Sequence, residues 1–206
     1  YVPNNMAVCL AGDFDYDEAI AIIDKHFGKL QQKDVPHYVV PKEKKITQPV
    51  VREVRGHEEE FMYLAYRLDL PANSRDLYVA EMAKSILYNG KCGMMDLNVN
   101  QKHLASDVYA FIYDLCDNSS FMFGGEPKDG QPMEEIRDII LQQVELLKKG
   151  EFDESLLQAA INNMEASEMR QLQSNRARAN AMAHAFENNI DWYYASQELE
   201  SYKKIT

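Results

Sequence analysis

No run in this sequence approaches the roughly 20 apolar residues that a membrane-spanning helix requires. Positive charge is also in short supply. Against 33 Asp+Glu there are 22 Lys+Arg, a net charge of −11. Nucleic acid and anionic lipid are recognised by basic faces, so neither is the expected partner. Cysteine is scarce, with Cys9, Cys92 and Cys116 the complete set. They form no C-x-x-C pair, which argues against a structural zinc site, and their odd number excludes a full set of internal disulfides. Cys9 sits in an apolar stretch and reads as core packing. There is no internal repeat and no low-complexity tract. The opening YVPNNMAVCLAGD has no initiator Met, basic n-region or long apolar h-region. It reads as the interior of a longer chain, entered just before a strand.

Sufficient apolar material is present for a core. The hydrophobic set makes up 46% of 206 residues, enough for one large or two small domains. Residues 6–11 have the length and apolarity of a buried strand. Asp15 follows as an N-cap, with Glu18 three residues on as its capping-box partner. Ile20, Ile23 and Phe27 then mark one helical face, ended by Gly28. Residues 31–48, with Pro36, Pro41 and a Lys-rich patch, read as an extended surface connection. Strands are expected at 50–54, 61–70, 107–115 and 119–124, with the last two joined by a hairpin near Asn118-Ser119. Ser74 caps a helix that stops at Asn89-Gly90, and residues 92–102 form one or two helical turns. Around Tyr109 both strand faces are apolar: Val108, Ala110 and Ile112 on one, Tyr109, Phe111 and Tyr113 on the other.

Beyond Gly130 the spacing changes. Met133, Ile136, Ile140, Val144 and Leu147 recur every three or four residues, giving an amphipathic helix that ends at Gly150. Asp153 starts another. Residues 165–203, without Pro or Gly, are expected to add two further helices, broken near Asn188-Asn189. The fold class is α+β: an antiparallel sheet packed by helices, with a helical C-terminal third.

Candidate chemistry is sparse. His57-Glu58-Glu59-Glu60-Phe61 is most of an H-x-x-E-H zinc motif, but Phe61 stands where the second His belongs. The motif also needs a helix, so that both imidazoles leave one face; here strand-like segments flank it, and a polar turn is the reading. His26, His37, His103 and His184 have no ligand spacing around them. Asp13-Phe14-Asp15-Tyr16-Asp17 begins like a calcium loop, but its sixth and twelfth positions hold Glu18 and Asp24 instead of Gly and Glu. A helix N-terminus accounts for those acids through its dipole and free N–H groups. No G-x-S-x-G elbow, G-x-G-x-x-G loop or Walker pattern occurs.

Tyr1-Val2-Pro3-Asn4-Asn5-Met6, then an apolar stretch, Gly12-Asp13, an acid-capped helix and Phe27-Gly28, resembles the insulinase (pitrilysin) family of zinc metallopeptidases. In that family a Y-x-P-x-N-M segment opens the second half of each homologous domain. The order of the later elements matches as well. The resemblance implies a LuxS/mitochondrial processing peptidase-like metallohydrolase fold, with residues 1–206 as a single α+β domain of a larger chain. It implies a non-catalytic portion of an endopeptidase that cuts peptides in a chamber between homologous lobes. Zinc would be held by the full-length parent, through an H-x-x-E-H and a later Glu lying upstream of this segment, and not by these residues. The implied partners are the remaining domains of the same chain or a homologous subunit, and a peptide substrate. Substrate-contacting lobes carry an Arg seven residues before a Tyr. Tyr109 matches the Tyr, but Lys102 stands at the Arg position, and Lys cannot reproduce the planar guanidinium fork; either this segment belongs to the catalytic lobe, where the pair is not expected, or its substrate role is altered, and the first is favoured. Tyr109 is thus the one candidate substrate-binding residue, beside its reading as ordinary strand packing. Two other readings stand: a zinc-less structural subunit or partner of such a peptidase, or a non-enzymatic α+β binding module.

Overall fold

The structure is a computed structural model and describes residues 2–36, 38–72, 74–115 and 117–205. It divides into two compact units, one up to Glu59 and one from Glu60 onward. In the first, a short 3-10 turn at Pro3–Asn5 precedes helix α1, Tyr16–Phe27. Asp15 caps α1 as its sequence requires: its Oδ1 accepts the Glu18 N–H at 2.9 Å. Only this half of the expected capping box is among the described hydrogen bonds. Asp17 and Glu18 lie in the first turn and Lys25 and His26 in the last, each sign at the helix end its dipole favours.

Two expectations fail in this unit. Residues 6–11 and 50–54 are not strands; neither has a ladder partner among the described residues. Their side chains are correspondingly open, with Val51 81% and Val54 91% exposed, and Cys9 is only partly buried. Apolarity of the right length does not make a strand until another strand satisfies its N–H and C=O groups.

The second unit holds the sheet. Strands β1 (Met62–Leu68), β2 (Asp107–Asp114) and β3 (Ser119–Glu126) pair antiparallel in the order β1-β3-β2. β2 and β3 form the expected hairpin, and the Leu115 N–H donates to the Asn118 carbonyl at its turn. Cys116 lies outside the described residues. Helix α2, Arg75–Leu87, follows β1, with Ser74 at its N-cap. A π-helical turn, Asp96–Asn100, fills the short helical stretch expected within 92–102. Then come α3 (Met133–Lys148), α4 (Ser155–Leu172), α5 (Asn175–Glu187), α6 (Trp192–Ala195) and α7 (Glu198–Tyr202). The expected break at Asn188-Asn189 is present, with Asn189 at φ 54°. A second break, not foreseen, falls at Ser174, whose hydroxyl accepts the Ala177 N–H and so caps α5.

One sheet face carries the core. Val108, Ala110 and Phe123 point toward Ile136 and Ile140 of α3, with Met82, Leu87, Met95 and Val99 completing the cluster. Each fully buried aliphatic side chain of this kind contributes about 1.5–3 kcal/mol by its removal from water. The close approach of α3 requires Gly125: a Cβ there would collide with Cγ2 of Ile136.

Candidate functional site

Alternation puts the other sheet face in view. Tyr63 lies opposite Gly124 and Ala65 opposite Met122 on one side of β3; Tyr109 and Phe111 face the same two residues on the other. Odd-numbered residues of β1 and β2 therefore share this face with even-numbered residues of β3. It carries four aromatic side chains, of which Tyr63 and Tyr113 are 53% and 57% exposed while Tyr109 and Phe111 are half-buried. The rings touch in sequence. Phe61 meets Tyr63 edge-on at 5.4 Å between centroids, Tyr63 meets Phe111 edge-on at 6.2 Å, and Phe111 stacks on Tyr109 at 6.2 Å. Tyr88, just past α2, closes the row at 6.5 Å from Tyr109.

Tyr109 lies over Gly124, whose missing side chain gives the ring its seat. Hydrogen bonding to the Tyr63 hydroxyl, followed by burial, pushes the Tyr109 phenol up to about 12. The acids Glu126 and Asp107 act in the same direction. Asp107 is itself raised by desolvation, partly offset by hydrogen bonds from the Val108 N–H and Asn100. Tyr88 is raised by burial first and then by Asp107 and Asp96. Tyr109, Asp107 and Tyr88 are thus each held toward the uncharged form.

Two side chains fix this end of the sheet. β2 is an edge strand, and the Asn100 amide replaces a ladder partner: Nδ2 donates to the Val108 carbonyl at 2.8 Å and Oδ1 accepts its N–H at 3.0 Å. The buried Asp96 carboxylate accepts the N–H groups of Asn89, Lys91 and Gly93 at 3.1, 3.1 and 2.8 Å. That clamp shapes the loop after α2 and thereby places Tyr88.

The other sequence candidates are not brought together. His57 and Glu60 are both exposed and lie outside any helix, in the stretch before β1. Among the described residues no three His, Cys, Asp or Glu side chains gather closely enough to hold a metal ion. These residues do not fit a zinc ion. Lys102 reaches toward Asn98, with Nζ 3.5 Å from Oδ1, and not toward Tyr109. His184 stands 3.4 Å from Asp114, and the His103 carbonyl accepts from Lys128. His26 lies exposed on α1, and His37 is outside the described residues. Sequence reasoning missed Tyr63, Tyr88, Asp107 and Glu126. The signal for Tyr63 was present, because Phe61-x-Tyr63 and Tyr109-x-Phe111-x-Tyr113 share one alternation. Tyr88 comes from a helix end, and nothing in the linear order links it to the sheet.

Among the described residues no helix is long and apolar enough to cross a membrane. Comparison with known proteins places this architecture. The zinc protease PqqE of Helicobacter pylori is 28% identical over 182 residues, covering 84% of this chain and 40% of that protein. The crystal structure of a protease from Helicobacter pylori superposes with a TM-score of 0.79 at 25% identity, covering 95% of this chain and 48% of the other. The peptidase M16 inactive domain from Pseudomonas fluorescens gives a TM-score of 0.66 at 20% identity, covering 95% and 46%. The chain thus spans less than half the length of these relatives. Residues 1–164 match the family described as the peptidase M16 inactive domain. With four-fifths of its length inside that match and the same α+β architecture, the chain belongs to the M16, or insulinase (pitrilysin), peptidase family, in its inactive-domain branch.

Proposed function

We propose that this chain is the non-catalytic portion of a zinc-dependent endopeptidase, in which residues 1–206 serve as one half of a homologous lobe. It lines one wall of a chamber where unstructured peptides are cut, and Tyr109 contacts the substrate. The observation that carries this reading is the asymmetry of the sheet: one face is filled by α3 and its neighbours, and the other presents a row of partly exposed aromatic rings. Family membership supports the peptidase context, and the description of the matched family as an inactive domain supports a non-catalytic part. The partners are then the remaining domains of the same chain or a homologous subunit, which supply the metal and the activated water that a zinc site provides. This chain binds and orients the peptide.

Metal analysis and a quenched-fluorescence peptide assay test the proposal, applied to the 206 residues alone and to the same residues joined to an H-x-x-E-H half. The short chain should hold no stoichiometric zinc and cleave nothing; the joined form should do both, and Tyr109→Phe in it should lower kcat/KM. Zinc and turnover in the short chain, or an inert joined form with an intact motif, would overturn the reading.

A further inference from the structure

We propose that the open aromatic face of the β1-β3-β2 sheet is a docking surface for an extended peptide that seats a Lys or Arg side chain at its Asp107–Glu126 end. This rests on the peptide-contacting reading above and assigns it a specificity. Asp107 and Glu126 stand directly opposite each other across the β2–β3 ladder, on the same face as Tyr109. Like charges directly opposed on a sheet repel and destabilise it. No Lys or Arg among the described residues pairs with either carboxylate. The nearby bases are engaged elsewhere: Lys102 with Asn98, and Lys128 with the His103 carbonyl.

The setting is complementary to a cation in two further ways. The rings of Tyr88 and Tyr109 border the carboxylates, and aromatic faces attract ammonium and guanidinium groups. Burial raises Asp107 and Tyr88, hydrogen bonding to Tyr63 raises Tyr109, and neighbouring acids add to all three in the same direction. Beyond this end the face runs on past the half-buried Phe111 to the exposed Tyr63 and Tyr113, apolar surface of the kind that marks an interaction site when left uncovered. An extended peptide matches it, because alternate side chains of a strand fall on one side. A second copy of the chain would bring a net charge of −11 to an already acidic end, so self-association is disfavoured.

Binding of short fluorescein-labelled unstructured peptides, identical except for a central Arg, Gln or Glu, tests this by anisotropy at low and high salt. The Arg peptide should bind about tenfold more tightly than the Gln peptide at low salt, as a partly desolvated cation site predicts, and the Glu peptide more weakly still. Asp107→Asn with Glu126→Gln should bring the Arg and Gln peptides to similar affinity. Glu134→Gln on the exposed start of α3, with the same change in net charge as either single substitution, should leave the discrimination intact. In the unsubstituted chain, amide NMR shifts on adding the Arg peptide should concentrate at residues 107–111 and 122–126, which keeps the test independent of the variants' folding. Equal affinity for the Arg and Gln peptides would overturn the basic end and leave the peptide-contacting reading standing. Failure of every peptide to bind would remove both. Dimerisation in sedimentation that buries these strands would replace the peptide with a second copy.

Discussion

The ring of Tyr109 occupies the space where a side chain on Gly124, its direct partner across the β2–β3 ladder, would have to be. The next residue, Gly125, is occupied in the same way from the other side of the sheet by Ile136. Two adjacent glycines thus let an aromatic ring lie flat on one face and a helix pack close on the other.

Gly124→Ala should destabilise the protein by about 1–3 kcal/mol, the usual cost of overpacking. It should also move Tyr109 off Tyr63. The Tyr109 phenol, now held up to about 12, should then titrate closer to its ordinary 10.0. Ultraviolet tyrosine titration, with Tyr109→Phe identifying the signal, measures this. An unchanged high titration in Gly124→Ala would mean that the ring does not depend on its seat.

Asp96→Ala should cost about 3 kcal/mol, because three backbone N–H groups lose a charged acceptor and at least one is left buried. Asp96→Asn retains an acceptor and should cost less. Denaturant midpoints rank the two. The aromatic contact between Tyr88 and Tyr109 should loosen in the Ala variant, visible in their ring NMR shifts.

Glu198 gives the C-terminal helices a pH dependence. Burial raises its carboxyl, with Glu81 and Glu168 adding in the same direction; a hydrogen bond from the Tyr202 hydroxyl at 3.0 Å and nearby His184 oppose this. A carboxyl raised on folding binds its proton more tightly in the native state. Its contribution is therefore present at low pH and is lost as pH climbs from the ordinary glutamate range through the raised folded value. Glu198→Gln keeps an oxygen to accept from Tyr202 and should flatten that decline, with a higher melting temperature at neutral pH than the unsubstituted chain. A variant less stable at neutral pH would show that the charge is needed there.

Asp15→Ala should cost about 1 kcal/mol through loss of the N-cap of α1. The loss should be the same with calcium or with chelator, since the carboxylate already serves the Glu18 N–H. A calcium-dependent melting temperature abolished by the substitution would instead reveal a metal role for the Asp13–Asp17 acids.

Local chemistry made much of this protein legible. Asp15 caps a helix because its carboxylate reaches an N–H three residues ahead, a relation that needs no distant partner. The three- and four-residue spacing from Met133 to Leu147 yields a helix wherever an apolar surface awaits it. The two-residue alternation around Tyr109 separated the core face of β2 from its aromatic face. The motif Tyr1-Val2-Pro3-Asn4-Asn5-Met6 pointed to the family. Tertiary structure alone decided the rest, because the remaining facts are relations between residues far apart in the chain. Residues 6–11 and 50–54 have strand-like composition, but a strand exists only where a second backbone completes its hydrogen bonds, and none of the described residues does so. Asp107 and Glu126 are 19 positions apart and become direct neighbours only through the hairpin register. Tyr88 reaches Tyr109 because Asp96 folds the intervening loop. Sequence determines what each side chain can do, and the ladder determines which of them meet.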